Sequence, residues 1–148
     1  MNTGIIIFLT KGAKKMSMFC YQCQETAKNT GCTIKGVCGK SEETANLQDL
    51  LIFALKGLSV FGEKANQLGV STGDNGLFLT KALFSTITNA NFDNDRIIDL
   101  IKKALSRREA LKEKFLAAYK EKNGREFDEA LQLADAGGVA HLAQGLGL

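Results

Sequence analysis

The chain has 148 residues, which suits one domain, and its hydrophobic fraction of 45% and charged fraction of 24% are ordinary for a globular protein. The formal net charge is only +3, and acidic and basic residues are mixed along the chain, so this bias is too weak to indicate nucleic-acid binding. There is no proline, which favours long helices because proline breaks a helix interior.

The first 17 residues contain a short apolar run, residues 5–9, followed by three lysines. A secretory signal carries its positive charge before the apolar core, and a membrane span needs roughly 20 apolar residues. We therefore predict that residues 1–17 are a non-native or over-called extension, with Met16 or Met18 as the natural start. A short extra strand and a membrane-surface contact stay open as alternatives. We expect a cytoplasmic protein without a membrane partner.

Residues 18–40 are rich in cysteine and glycine and show none of the apolar periodicity of a helix. Such a segment cannot build an apolar core of its own, so we expect cysteine chemistry to hold it together. It contains every cysteine of the chain: Cys20, Cys23, Cys32 and Cys38.

A long helix is predicted over residues 41–68. Ser41 is a suitable N-cap, and apolar residues recur at three- and four-residue steps from Leu47 to Leu68. Gly69 fits the left-handed position that ends many helices.

Two further helices follow the turn cluster at residues 71–76. One is predicted over about residues 76–89. The other is predicted over about residues 95–122 and is closed by the Asn-Gly pair at residues 123–124. Short connections between amphipathic helices favour antiparallel packing. We therefore predict an all-α fold, in which the cysteine-rich loop packs on a bundle of about three long antiparallel helices over residues 41–124.

Residues 125–148 are rich in alanine, glycine and leucine and have a poorly defined pattern. We predict a divergent tail with a short helix near residues 127–135. The single histidine, His141, is expected to be a solvated residue of this tail.

The four cysteines follow the spacing C-x2-C-x8-C-x5-C. Disulfides need an oxidising compartment, and no export signal supports one. A four-cysteine zinc site usually combines two short knuckles, each with two to four residues between its cysteines; the first pair fits this, but the spacing between Cys32 and Cys38 is wider than usual. Iron–sulfur clusters accept more varied spacings in compact glycine-rich loops. Spacing therefore favours an iron–sulfur cluster and leaves zinc, disulfides and free thiols open.

The residues around these cysteines resemble the start of the hybrid-cluster (prismane) family. The resemblance is carried by MFCYQCQETA at residues 18–27, GCTIKGVCGK at 31–40 and LQDLLIFALKGL at 47–58, and it continues to about residue 124. In that family this cysteine spacing is the form associated with a [4Fe-4S] cluster. The resemblance thus implies that the cluster ligands are Cys20, Cys23, Cys32 and Cys38.

The same resemblance implies an activity. Members of the family reduce hydroxylamine to ammonia and water with two electrons and two protons, at a second, hybrid iron–sulfur–oxygen cluster bound by later domains. No cysteine follows Cys38 and the only histidine is His141, so we expect the hybrid cluster to be absent from this chain and assign no catalytic residues. The chain alone is predicted to be inactive. It would take electrons from a redox donor protein and pass them to the missing C-terminal domains.

Two other functions are weighed against this electron-transfer role. One is a zinc-stabilised helical binding module, and the other is a stand-alone ferredoxin-like electron carrier. Family proteins are several times longer, and we expect the resemblance to stop after about Glu129. A frameshift, a truncated gene or a partial sequence would account for that.

Overall fold

A computed structural model describes residues 18–87 and 92–127 of the chain. Residues 1–17, His141 and nearly all of the helix predicted near 127–135 lie outside this range. The described part is all-α, as predicted, and none of its helices is both long and apolar enough to cross a bilayer. Its helices are α1 (Glu42–Gln67), α2 (Asn75–Ile87), α3 (Asn94–Asn123) and one 3-10 turn at Ala27–Asn29.

Both ends of α1 are set by local hydrogen bonds that the sequence predicts. The Ser41 hydroxyl accepts a hydrogen bond from the Thr44 N–H at 3.1 Å, which satisfies one of the free donors of the first turn. At the other end Gly69 adopts a positive φ of 77°. The Val70 N–H then donates to the Ala65 carbonyl oxygen at 2.9 Å, which closes the helix.

The core lies between α1 and α3, which run in the same direction. The first halves of the two helices share one buried cluster, and the second halves share another. The Thr44 hydroxyl donates to Asn94 Oδ1 at 2.8 Å and joins the two starting ends. The first cluster consists of Leu47, Leu50, Leu51, Ala54, Leu55, Ala82, Ile97, Ile101 and Ala104. The second consists of Leu58, Phe61, Ala65, Leu111 and Phe115.

Helix α2 runs antiparallel to both neighbours, so the chain traces an up–down–up bundle, which agrees with the predicted antiparallel connections. Only Ala82 and Thr86 of α2 are buried. Its start is held by Arg107, whose guanidinium donates to Asp74 Oδ1 at 2.7 Å and lies 4.7 Å from the centre of the Phe78 ring.

Gly57 allows α3 to approach α1 closely. A Cβ atom at this position would lie 3.0 Å from Arg108 Cδ. The absence of a side chain at Gly57 thus permits this close packing.

Candidate metal centre

The loop that carries the cysteines, residues 18–40, doubles back so that Cys20 and Cys32 lie side by side. The Cys20 N–H donates to the Cys32 carbonyl oxygen at 3.0 Å, and the Cys32 N–H donates to the Cys20 carbonyl oxygen at 2.9 Å. The reversal is made by the turn at Ala27–Asn29, where Lys28 and Asn29 have positive φ values of 53° and 55°. Backbone hydrogen bonds thus pair two cysteines that the sequence separates.

Gly31 is required where the loop returns. Its φ of +120° disfavours any residue with a side chain, and a Cβ atom there would lie 2.5 Å from Cε2 of the Phe19 ring. The ring of Phe19 therefore packs directly against the backbone next to Cys32.

A small buried cluster fixes the paired cysteines to the start of α1. It consists of Met18, Cys32 and Ala45, with Cys20 and Ala27 packed against it. Because Ala45 belongs to the first turn after the Ser41 cap, the start of α1 and the position of the loop are coupled.

The Cys32 sulfur lies in surroundings that favour the thiolate. The backbone N–H of Ala27 points at Sγ from 3.5 Å, and the Thr26 hydroxyl lies 3.7 Å away. The Ala27 N–H contributes most to lowering the pKa of Cys32, with help from the Val37 N–H, the Thr26 hydroxyl and the Lys40 charge, while burial opposes them. Metals bind the thiolate, so this thiol is prepared to act as a ligand.

Lys40 is the buried cation of this site. Its side chain is 1% exposed, and its Nζ donates to Gln22 Oε1 at 2.8 Å and to Cys20 Sγ at 3.7 Å. The Lys40 charge also acts on Asp49, whose pKa is raised by burial because that effect exceeds the opposing pull of Lys40. Sequence reasoning assigned no role to Lys40, Gln22 or Thr26, because nothing in a sequence pattern indicates which polar side chains of a loop are buried.

The structure brings the predicted ligands together only in part. None of the four cysteines forms a disulfide. Cys20 and Cys32 lie side by side through backbone hydrogen bonds, Cys23 is half-buried and Cys38 is exposed. In residues 18–87 and 92–127, no three histidine, cysteine, aspartate or glutamate side chains form a group that could hold a metal ion. The four-cysteine ligand set therefore stays a prediction.

The donor chemistry of the loop nevertheless fits an iron–sulfur cluster. The loop contains the four free cysteines that such a cluster would need, a backbone N–H points at the Cys32 sulfur, and a buried ammonium lies beside the Cys20 sulfur. The Cys38 sulfur also lies close to the backbone of Gly36, since a Cβ atom at Gly36 would be 3.1 Å from Cys38 Sγ.

Most large apolar side chains of the loop after Met18 are exposed rather than packed in a core. Phe19 and Tyr21 are each 56% exposed, and Ile34 is 88% exposed. The loop is therefore held by hydrogen bonds and by the small cluster at Met18, not by its own larger apolar residues.

The cysteine loop lies within the part of the chain that is similar to known proteins. Residues 18–142 match the model of the Prismane/CO dehydrogenase family, so the similarity extends further than the predicted limit near Glu129. The chain is 60% identical over 116 residues to a hydroxylamine reductase of Halothermothrix orenii, covering 78% of this chain and 21% of that protein. It is 53% identical over 136 residues to a hydroxylamine reductase of Nitratidesulfovibrio vulgaris, covering 88% of this chain and 25% of that protein. The chain thus spans about a fifth to a quarter of the length of these curated relatives.

Proposed function

This chain belongs to the Prismane/CO dehydrogenase family, and on that basis we propose that it is the N-terminal electron-transfer portion of a hydroxylamine reductase. In this proposal Cys20, Cys23, Cys32 and Cys38 hold a [4Fe-4S] cluster. A redox donor protein supplies electrons, and the catalytic hybrid cluster belongs to further domains.

The observation that carries the proposal is the pairing of Cys20 and Cys32 within the family-matched segment. Cys32 has a lowered pKa and accepts hydrogen bonds from its own loop, so a thiolate is stabilised where a ligand is expected. Free cysteines and the glycine backbone at Gly31 and Gly36 support the same ligand role.

A bound [4Fe-4S] cluster supplies one-electron chemistry, which two-electron reduction of hydroxylamine uses twice. The residues of this chain would bind the cluster and set the charge around its ligands. Thr26 and the Ala27 N–H stabilise the Cys32 thiolate, and Lys40 places positive charge beside Cys20. The exposed position of Cys38 leaves this side of the loop accessible to a donor protein.

Anaerobic reconstitution of the full chain with iron and sulfide tests the ligand set. We expect about four iron and four sulfide per chain, with broad visible absorbance. The Cys32→Ser variant should lose or convert this cluster, whereas Thr33→Ala, a change at the exposed neighbouring position, should keep it.

Two results would contradict the proposal. About one zinc per chain without sulfide would favour the zinc-stabilised binding module instead. Hydroxylamine turnover by the reconstituted chain alone would show that catalysis does not need further domains.

A further inference from the structure

Lys40 is buried in a region whose apolar cluster is small, formed by Met18, Cys32 and Ala45. It is 1% exposed and ranks among the largest fully buried side chains of the described residues. Lysine is rarely buried, because removing an ammonium from water is costly unless an opposite charge or good acceptors replace the water. The burial of this particular lysine therefore needs a compensating partner.

The partners of Lys40 lie on the cysteine side of the loop. Nζ donates to Gln22, which lies between Cys20 and Cys23, and to the sulfur of Cys20. Within residues 18–87 and 92–127, no carboxylate forms an ion pair with Lys40. Asp49 interacts with the Lys40 charge, but the hydrogen bonds of Nζ go to Gln22 and to the Cys20 sulfur, so the ammonium lies directly against the cysteine loop.

The backbone of Lys40 is held on both sides. The Gly36 N–H donates to the Lys40 carbonyl oxygen at 2.8 Å, and a Cβ atom at Gly36 would lie 3.0 Å from Lys40 Cβ. Ser41, the next residue, caps α1. The backbone of Lys40 is therefore fixed between the cysteine loop and the first turn of α1, and burial together with the hydrogen bonds to Gln22 and Cys20 places its ammonium beside the Cys20 sulfur.

We propose that Lys40 is a positioning residue that acts through Cys20 and raises the reduction potential of the cluster in this loop. The inference rests on the proposed function. Reduction adds one electron, and hence one negative charge, to a cluster and its thiolates. A buried ammonium that donates a hydrogen bond to a ligand sulfur stabilises the reduced state more than the oxidised state.

The test is a redox titration of the reconstituted full chain, with dithionite as the electron source and cluster spectra as the readout. The Lys40→Met variant removes the charge and keeps a similar length. At the midpoint potential of the unsubstituted chain, we expect its ratio of reduced to oxidised cluster to fall about tenfold, which corresponds to about 59 mV for one electron. Lys40→Arg keeps the charge and should restore most of the ratio.

Lys35→Met is the matched control, because Lys35 is an exposed lysine of the same loop. Water and salt screen an exposed charge, so this variant should change the ratio by less than about twofold. An equal effect of Lys35→Met and Lys40→Met would overturn the proposal, since net charge rather than the buried contact would then set the potential. An unchanged potential in Lys40→Met would also overturn it.

Metal analysis separates this inference from the proposed function. An unsubstituted chain that takes up no cluster contradicts the proposed function and the inference together, whereas a loaded chain insensitive to Lys40→Met contradicts only the inference. If Lys40→Met takes up no iron, Lys40→Arg decides. If Lys40→Arg takes up the cluster and keeps a nearly unchanged potential, the role of the charge is supported. If neither variant takes up the cluster, the loop requires the shape of the lysine side chain, and the proposal is overturned.

Discussion

The cysteine loop and the helical bundle are stabilised in different ways. In the bundle, apolar residues such as Leu51, Leu55 and Ile101 are at most 1% exposed and pack against one another. In the loop, Ile34 and Val37 are 88% and 63% exposed, while Thr26 and Lys40 are buried. Apolar burial therefore holds the bundle, whereas the loop is held mainly by hydrogen bonds to backbone and sulfur, together with the small apolar cluster at Met18.

This difference indicates that the two regions depend on different chemistry. Apolar burial contributes roughly 25 cal/mol per Å² and needs no metal, so the bundle gains its stability from its own side chains. A loop with few buried apolar residues is expected to depend on ligand binding, because metal binding supplies folding free energy in such segments. Substitutions in the bundle should therefore change its free energy of unfolding, whereas substitutions in the loop should mainly change metal binding and loop structure.

The largest effect is expected from Leu51→Ala. Leu51 is 0% exposed in the cluster shared by α1 and α3, so the variant should lower the free energy of unfolding by about 2–5 kcal/mol. Urea unfolding followed by helical circular dichroism measures this change. Leu77→Ala is the control, because the same substitution at a residue 59% exposed should cost less than about 0.5 kcal/mol. Equal costs would mean that this packing is not what stabilises the bundle.

A smaller effect is expected at the junction of the two regions. Ser41→Ala removes the side-chain acceptor of the Thr44 N–H and should cost about 1 kcal/mol. Ser41→Asp retains a capping oxygen and should cost much less. The measurement is again urea unfolding, and a Ser41→Asp variant as unstable as Ser41→Ala would show that the cap is not the cause.

Glycine-to-alanine substitutions should have opposite effects in the two regions, stabilising the bundle and straining the loop. Gly62→Ala in α1 should stabilise the bundle by up to about 1 kcal/mol, because alanine favours helix. The added Cβ would lie at an ordinary 4.0 Å from Leu111 Cδ2. Gly39→Ala should strain the loop, because Gly39 has a φ of +92°. Faster tryptic cleavage after the exposed Lys35 would report this strain, and unchanged cleavage would contradict it.

The smallest effect concerns pH. The hydrogen bond from Arg107 lowers the pKa of the Asp74 carboxyl, with a further contribution from the Arg107 charge. The ion pair therefore adds stability above the ordinary aspartate pKa, and this contribution is lost as pH falls through the lowered value in the folded state.

The Asp74→Asn variant should accordingly be slightly less stable than the unsubstituted chain at neutral pH, and the difference should shrink as pH falls below the ordinary aspartate pKa and through the lowered folded-state value. Urea midpoints at several pH values measure this. Asp99→Asn, at an exposed position of α3, is the control. A difference that stays constant with pH would contradict the ion-pair explanation.

The helix ends were predictable from the sequence because their signals are local. Ser41 caps α1, Gly69 ends it in a left-handed conformation, and Gly124 does the same for α3 with a φ of 67°. The start of α3 at Asn94, capped by Asp93, lies within one residue of the predicted start. Caps and turns involve residues a few positions apart, so the chain itself carries the information.

The sequence by itself also determined the fold class, through apolar periodicity, and the candidate ligands, because every cysteine lies in one short segment. Only the tertiary structure decided that α1 and α3 run in parallel, that Cys20 lies beside Cys32, and that Lys40 is buried against a cysteine sulfur. The physical reason is the separation along the sequence of the residues that interact. Periodicity and caps arise within a few residues, whereas Lys40 is buried by contacts with Gln22 and Cys20, which lie 18 and 20 positions away along the chain.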